Sequence, residues 1–135
     1  MNFSSVNLLA VFVVAILHMV LGFLWYGPLF SKPWTKLMGM TEEQLRQGSP
    51  NPAIYMIPFI GALISAYVMA LLIGSLGLTG LLAGAGVGLL LGLGIFAPPF
   101  AANSVFGAKS FKLFLIDAGY PIISFAIMGA ILGVW

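Results

Sequence analysis

The chain contains no cysteine and very little charge, and both absences limit what it can be. Without cysteine, disulfides, thiolate metal sites and thiol catalysis are excluded. Charged residues make up 6% of the chain, whereas a soluble domain carries about 25%. So few charged side chains could not cover a surface that faces water. With 61% hydrophobic residues and a mean hydropathy of +1.15, we expect an all-α integral membrane protein.

Histidine and acidic residues are also scarce, with one histidine and three Asp/Glu in the chain. A single histidine and a single acid within a span cannot supply three protein ligands to a catalytic metal. Five Lys/Arg are too few for the basic patch of a nucleic-acid-binding protein. We therefore expect no enzyme activity, no metal or other cofactor, and no nucleic-acid partner.

Four apolar segments are long enough to cross the hydrocarbon layer, which takes about 20 helical residues. The expected spans run from about Val6 to Phe30, Ala53 to Gly74, Leu78 to Ala97 and Phe111 to Trp135. The first lacks the basic start and the Ala-x-Ala site of a signal peptide, so we expect it to be retained. The chain is then a single four-span domain, with loops at about residues 31–52 and 98–110.

All the basic residues fall in these two loops or within two residues of them, which decides the expected orientation. They are Lys32, Lys36, Arg46, Lys109 and Lys112. The positive-inside rule assigns such loops to the cytoplasm. We therefore expect both termini to lie outside the cytoplasm.

The first loop contains a helix start signal, because Thr41 is followed three residues later by Gln44. This capping-box pattern predicts a short helix from about Glu42 to Gln47. The helix could rest on the headgroup layer or dock a soluble partner. The apolar residues available for the headgroup layer are Trp34, Leu37, Met38 and Leu45.

Small residues dominate the second and third spans. In the third span glycines recur every four residues, at Gly80, Gly84, Gly88 and Gly92. This spacing keeps them on one helical face, where a neighbouring helix can approach closely in lipid. The second span offers a row of alanines, Ala62, Ala66 and Ala70, and a short turn joins the two spans. We expect a tight hairpin of the second and third spans; the alternative is a glycine-lined pore of several chains.

The prolines and the polar residues share one half of the expected bundle. All eight prolines fall in the cytoplasmic half or its loops, and Pro98-Pro99 is expected to break the third span. Prolines free backbone carbonyls, which survive in a membrane only inside protein or beside a water-filled cavity. A cavity open to the cytoplasm, below a dry outer half, is therefore expected. Its candidate lining residues are Trp25, Tyr26, Tyr55, Asn103, Asp117 and Tyr120.

Asp117 is the only acid within an expected span. Intramembrane acids are often functional, which favours a cation or proton site. The alternative is a buried hydrogen-bonding group whose partner is one of several candidates. Those candidates are Trp25, Tyr26, Asn103, Lys109 and Lys112.

His18 lies near the expected midplane of the bilayer. It is either a neutral imidazole bonded to a backbone carbonyl or to Ser124, or part of a proton relay with Ser124. His18 and Asp117 differ in depth by about 9 Å, which is too far for a direct dyad.

Three stretches, "WYGPLFSKPW", "ANSVFGAKSFKLFLIDAGY" and "MGAILGVW", resemble a family of small bacterial four-helix inner-membrane proteins with a domain of unknown function. The Trp25-Tyr26-Gly27-Pro28 and Ala118-Gly119-Tyr120 elements are the most specific. The resemblance covers nearly the whole chain and implies a four-span fold in a bacterial inner membrane. It also implies a hydrogen-bonding residue, commonly asparagine, at the position of Asp117. No activity is carried over.

Two classes of function remain open. One is a small channel or transporter component that works as a homo-oligomer among membrane lipids, because four spans in one chain rarely enclose a path. The other is a structural or accessory protein that packs on a larger membrane complex, or that binds lipid or a small hydrophobic ligand.

Overall fold

A computed structural model describes residues 1–41, 43–44 and 51–135 of the chain. Within these ranges all regular secondary structure is helical. Four helical spans are long and apolar enough to cross a membrane: Leu8–Leu29, Ala53–Ser75, Leu81–Phe106 and Phe111–Val134. The expected all-α fold with four transmembrane helices is therefore confirmed.

In the described ranges, six α-helices and two π-helical segments build these spans and the start of the first loop. The helices are α1 (Leu8–Leu24), α2 (Ser31–Met38), α3 (Ala53–Ser75), α4 (Leu81–Leu90), α5 (Ala97–Phe106) and α6 (Phe111–Val134). The first π segment, Trp25–Leu29, continues α1, and the second, Leu91–Phe96, joins α4 to α5. The third span is therefore one continuous helical rod of α4, the second π segment and α5.

Both π segments lie beside prolines. Pro28 lies inside the first, where the Phe30 amide donates to the Trp25 carbonyl five residues back at 2.9 Å. Pro98 and Pro99 lie in the first turn of α5, directly after the second π segment, where the Ala97 amide donates to the Gly92 carbonyl five residues back. The break expected at Pro98-Pro99 was therefore wrong. The third span continues to Phe106, because π-helical bonding before the prolines lets the helix pass through them.

The most extensive contact between spans joins α4 to α6. A Cβ added to Gly84 would overlap the carbonyl oxygen of Gly129, and a Cβ on Gly129 would overlap that of Gly84. A Cβ on Gly88 would likewise overlap the carbonyl oxygen of Phe125. The α-hydrogens at these positions therefore point at carbonyl oxygens of the facing helix, as Cα–H···O contacts do. Only glycine permits backbones this close.

A backbone hydrogen bond closes the α4–α6 contact near the C-terminus. The Gly80 amide donates to the Gly133 carbonyl at 2.8 Å. Gly80 caps α4 with a φ of +103°, a conformation that side chains disfavour. The Gly133 carbonyl belongs to the last turn of α6, where no intrahelical donor follows, so the bond satisfies an orphan acceptor.

The prediction of a tight hairpin between the second and third spans was wrong, because the third span packs on the fourth. The glycine row of the third span, including Gly92 against Ile122, packs on α6, whereas α3 packs mainly on α1. The alanines Ala62 and Ala66 are buried in α3. The reason is that α6 carries its own glycines at i, i+4, Gly129 and Gly133. Two facing glycine rows permit a closer approach than a glycine row against alanine methyl groups.

The apolar core lies toward the chain termini. It comprises Val11, Val14, Ala66, Met69, Ile73, Val87 and Met128, drawn from all four spans. The turn between α3 and α4 and both termini lie at this end, which we call the terminal end. The opposite end carries Lys32, Lys36, Lys109 and Lys112, all exposed, and we call it the basic end. Large apolar side chains such as Leu82 (83% exposed) cover the outside, as lipid contact requires.

The α4–α6 contact yields a test with a control on the same helix. Gly88→Ala should destabilise the protein by about 1–3 kcal/mol, because the new methyl group overlaps a backbone carbonyl. Gly86→Ala meets no atom within 4 Å, so it should be neutral or stabilising by up to about 1 kcal/mol. The measurement is unfolding by SDS titration in mixed micelles. Equal effects of the two substitutions would contradict the close contact.

Candidate functional site

Asp117 is the centre of a hydrogen-bonded group at the basic end. Its Oδ1 accepts from the Tyr26 hydroxyl at 2.9 Å and from the Trp34 indole Nε1 at 2.9 Å. The same side-chain oxygen is the acceptor in both bonds. Of the partners that the sequence suggested, Tyr26 is the one found among the described contacts. The carboxylate thus ties α6 to the first π segment and to α2.

Trp25 is hydrogen-bonded to α6 at the residue before Asp117. Its Nε1 donates to the Ile116 carbonyl at 2.9 Å. Its ring lies against Gly119, where an added Cβ would come within 3.0 Å of the ring. The two motifs of the family resemblance therefore meet, because the glycine of Ala118-Gly119-Tyr120 makes room for the tryptophan of Trp25-Tyr26-Gly27-Pro28.

Tyr120 and Ser124, which share a face of α6 with Asp117, both contact His18 of α1. The Tyr120 hydroxyl donates to the His18 backbone carbonyl at 2.6 Å, and its ring stacks on the imidazole with centroids 4.8 Å apart. His18 Nδ1 lies 2.5 Å from Oγ of Ser124, which is 1% exposed. Gly22 makes room for Tyr120, since a Cβ there would lie 2.8 Å from the hydroxyl. His18 therefore has the Ser124 partner that the sequence suggested.

Asp117 and His18 belong to neighbouring but separate hydrogen-bonded groups. Tyr26 donates to Asp117, whereas Tyr120 donates to a backbone carbonyl. The two tyrosine rings meet edge to face with centroids 5.8 Å apart. Among the described residues no direct hydrogen bond joins the two groups. The relay role of His18 and Ser124 stays a prediction.

Sequence reasoning missed Trp34 as a site residue and α2 as a helix. Trp34 was expected on the headgroup layer, but its indole reaches Asp117. The sequence signal for α2 was Gly39, because a glycine often follows the last residue of a helix. Gly39 adopts a left-handed φ of +70°. Its amide bonds the Lys36 carbonyl at 3.2 Å while the Met40 amide bonds that of Thr35 at 3.1 Å, a complete C-terminal cap.

The capping box predicted at Thr41 is present. The Thr41 amide donates to Gln44 Oε1 at 2.9 Å, and the Gln44 amide donates to Thr41 Oγ1 at 3.2 Å. The predicted helix from Glu42 to Gln47 lies largely outside the described residues, as do Leu45 and Arg46.

A cavity of about 490 Å³ opens beside the Asp117 group, between α1, α2, α3 and α6. Tyr26, Trp34 and Tyr120 form one side of it, and Phe23 and Tyr55 form another. Tyr55 is 52% exposed and packs beside Phe23 with ring centroids 5.9 Å apart. The remaining lining residues are Met19, Gly22, Gly27 and Pro58. Asp117 does not line the cavity, because it lies behind Tyr26 and Trp34.

Asn103, which the sequence placed in the same cavity, lies elsewhere. It is exposed and lines a groove of about 590 Å³ between α3, the second π segment and α5. Apart from Asn103 and Ser65, the lining of this groove is apolar or aromatic. Asn103 lies in the same half of the bundle as Asp117 but faces another side of it.

Metal ligands are sparse throughout the described part of the chain. No group of three or more His, Cys, Asp or Glu residues is placed there to hold a metal ion. The site instead combines hydrogen-bonded aromatic side chains with one carboxylate.

The fold and the site define a four-span, multi-pass membrane protein with an aromatic cavity at its basic end. The chain belongs to the family described as "Protein of unknown function (DUF1761)", whose model matches residues 9–133. No curated protein and no solved structure matches the chain.

The Asp117 group makes a prediction about stability. Tyr26→Phe removes a hydroxyl bonded to a carboxylate and should cost about 1–2 kcal/mol in the free energy of unfolding. Tyr55→Phe is the matched control, because the Tyr55 hydroxyl has no described partner although its ring lines the same cavity. Unfolding in mixed micelles measures both. A shift for Tyr55→Phe as large as that for Tyr26→Phe would contradict the assignment.

Proposed function

We propose that the chain is a subunit of a small homo-oligomeric transporter, and that its aromatic cavity at the basic end binds the transported solute. The observation that carries this proposal is the cavity of about 490 Å³. Ligand pockets typically measure about 300–1,000 Å³ and are lined by apolar and aromatic side chains with a few placed polar groups. The lining of this cavity has that composition.

The intramembrane acid and the closed core support transport by an assembly. An acid within a span is a functional feature by default, and Asp117 lies directly behind the cavity wall. Toward the terminal end the core closes the chain, since Val14, Met69 and Met128 have no exposed surface. One copy in this conformation offers no path across the membrane. Additional copies, or a second conformation, would have to supply it.

Outward-facing glycines on the second and third spans support close contact between copies. A Cβ added to Gly61 or Gly94 would meet no atom within 4 Å. Small residues facing outward let a partner helix approach closely in lipid. Membrane lipids would cover the rest of the apolar surface.

In the proposed orientation, the basic end lies on the cytoplasmic side of a bacterial inner membrane. Lys32, Lys36, Lys109 and Lys112 support it through the positive-inside rule. The termini would then lie outside the cytoplasm.

The absence of cysteine makes this orientation testable with single substitutions. In spheroplasts, Thr79→Cys should react with a membrane-impermeant maleimide, whereas Lys36→Cys should react only after lysis. Both native residues are exposed. The reverse labelling pattern would overturn the orientation.

Transport is tested with purified protein in liposomes. The probes are protons and two amphipathic dyes, cationic ethidium and anionic fluorescein. At least one should enter faster than into empty liposomes. Gly27→Phe is the control, because the new ring would project from an open lining position and fill the cavity. Uptake that never exceeds that of empty liposomes, or that is equal in Gly27→Phe, counts against the proposal.

A structural or accessory role is the second candidate. The groove beside Asn103 supports it, because an apolar groove of about 590 Å³ on the outside of the bundle could receive a helix of a larger complex. Crosslinking in cells followed by mass spectrometry separates the two proposals. A stoichiometric membrane partner would favour the accessory role, and self-crosslinks alone would favour the homo-oligomer.

A further inference from the structure

We infer that the cavity binds a hydrophobic organic cation, such as a quaternary ammonium or phosphonium ion, and that its aromatic rings hold the positive charge with Asp117 behind them. This inference deepens the proposed function and rests on the same cavity. It names the charge and the chemical class of the solute.

The composition of the walls is the first argument. Five aromatic side chains line the cavity, and no lysine or arginine lines it within the described ranges. The face of an aromatic ring is electron-rich and attracts cations within about 6 Å of its centroid. Quaternary ammonium ions are recognised in this way, since they cannot donate N–H hydrogen bonds.

The angles between the rings are the second argument. The Tyr26 ring lies at 68° to the Trp34 ring, with centroids 5.3 Å apart, and at 78° to the Tyr120 ring, with centroids 5.8 Å apart. Rings at such angles form adjacent walls and do not stack into a single slab. A guest beside them meets aromatic surface on more than one side, as in an aromatic cage.

The position of Asp117 is the third argument. The hydroxyl of Tyr26 and the indole N–H of Trp34 donate to the same carboxylate oxygen. Hydrogen bonding to an anion polarises the donor, so both rings gain electron density on their faces. The negative charge also lies one side chain behind the wall, where it attracts a cation without contacting it. A bulky cation therefore needs no direct ion pair.

The lysines of the basic end oppose this attraction only weakly. Lys32, Lys36, Lys109 and Lys112 are exposed, and none of them lines the cavity. Charges in solvent are screened over about 8 Å at physiological ionic strength. If they nevertheless dominated, the cavity would prefer an anion, and the experiment below includes that outcome.

The test compares tetraphenylphosphonium with tetraphenylborate, two ions of matched shape and opposite charge. Binding to the purified protein in detergent is followed by tryptophan fluorescence and by isothermal titration. We expect saturable binding of tetraphenylphosphonium that is lost in Gly27→Phe. Tetraphenylborate should show only the non-saturable partitioning that an empty micelle also shows.

Two substitutions examine the rings and the charge separately. Asp117→Asn keeps an acceptor oxygen for Tyr26 and Trp34 but removes the charge, and it should weaken binding of the phosphonium about tenfold. Tyr55→Leu removes one wall ring, and should weaken it about fivefold. Because Tyr55 is half exposed and has no described hydrogen bond, this variant stays informative if Asp117→Asn fails to fold.

Several results would overturn the inference. Saturable, Gly27→Phe-sensitive binding of tetraphenylborate at equal or greater affinity would assign the cavity to anions, and the transport proposal would stand. Unchanged phosphonium binding in Asp117→Asn or in Tyr55→Leu would remove the roles given to the charge or to the rings. Saturable binding of neither ion would reject the cation class, while dye or proton uptake by liposomes would still decide the transport proposal.

Discussion

The close contact between the backbones of α4 and α6 is the constraint on which the rest of the structure depends. Water drives no helix association inside a bilayer, so the two helices associate through glycine α-hydrogens that face carbonyl oxygens. This contact fixes α6 on the face of Gly129 and Gly133. A different face of the same helix then presents Tyr120 and Ser124 to α1, and Asp117 to the first π segment and to α2.

Lipid also dictates how the polar side chains of the site are arranged. Each of them must find a partner within the protein, and among the described residues no buried side-chain nitrogen or oxygen lacks one. The hydroxyl of Tyr26 and the indole N–H of Trp34 donate their hydrogen bonds to Asp117, behind the cavity wall. What remains for a guest is aromatic surface and the Tyr55 hydroxyl, which has no described partner. The same bonds therefore hold the bundle together and determine which chemistry faces the cavity.

The features that could be predicted from the sequence are those encoded locally or by depth. Hydropathy located the four spans, the Thr41–Gln44 pattern located a capping box, and common depth brought Tyr26 to Asp117. The sequence indicates less clearly how each helix is rotated about its axis, and therefore which side of the bundle a given side chain faces. Asn103 therefore lies in the predicted half of the bundle but on a different side from the cavity. Trp34 was assigned to the interface because tryptophan is common there, and nothing local revealed that its N–H pointed inward.

The prediction of which helices pair was wrong for a related reason. Small residues occur on α3, α4 and α6, and the short turn favoured the sequence neighbours α3 and α4. The decisive signal was in the last stretch, where Gly129 and Gly133 repeat the four-residue spacing of α4. Shape complementarity between two glycine rows outweighed proximity along the chain, because loop closure costs little compared with a continuous interhelical contact.

The π segment at Trp25–Leu29 has a consequence for how such a site arises. A π-bulge is geometrically one extra residue within an α-helix, so everything after it is turned by about 100° about the axis. Without that residue, α2 would leave the first span in another direction, and Trp34 would not face α6. The bond between Trp34 and Asp117 therefore depends on the number of residues between Leu24 and α2, and a chain one residue shorter there would lose it.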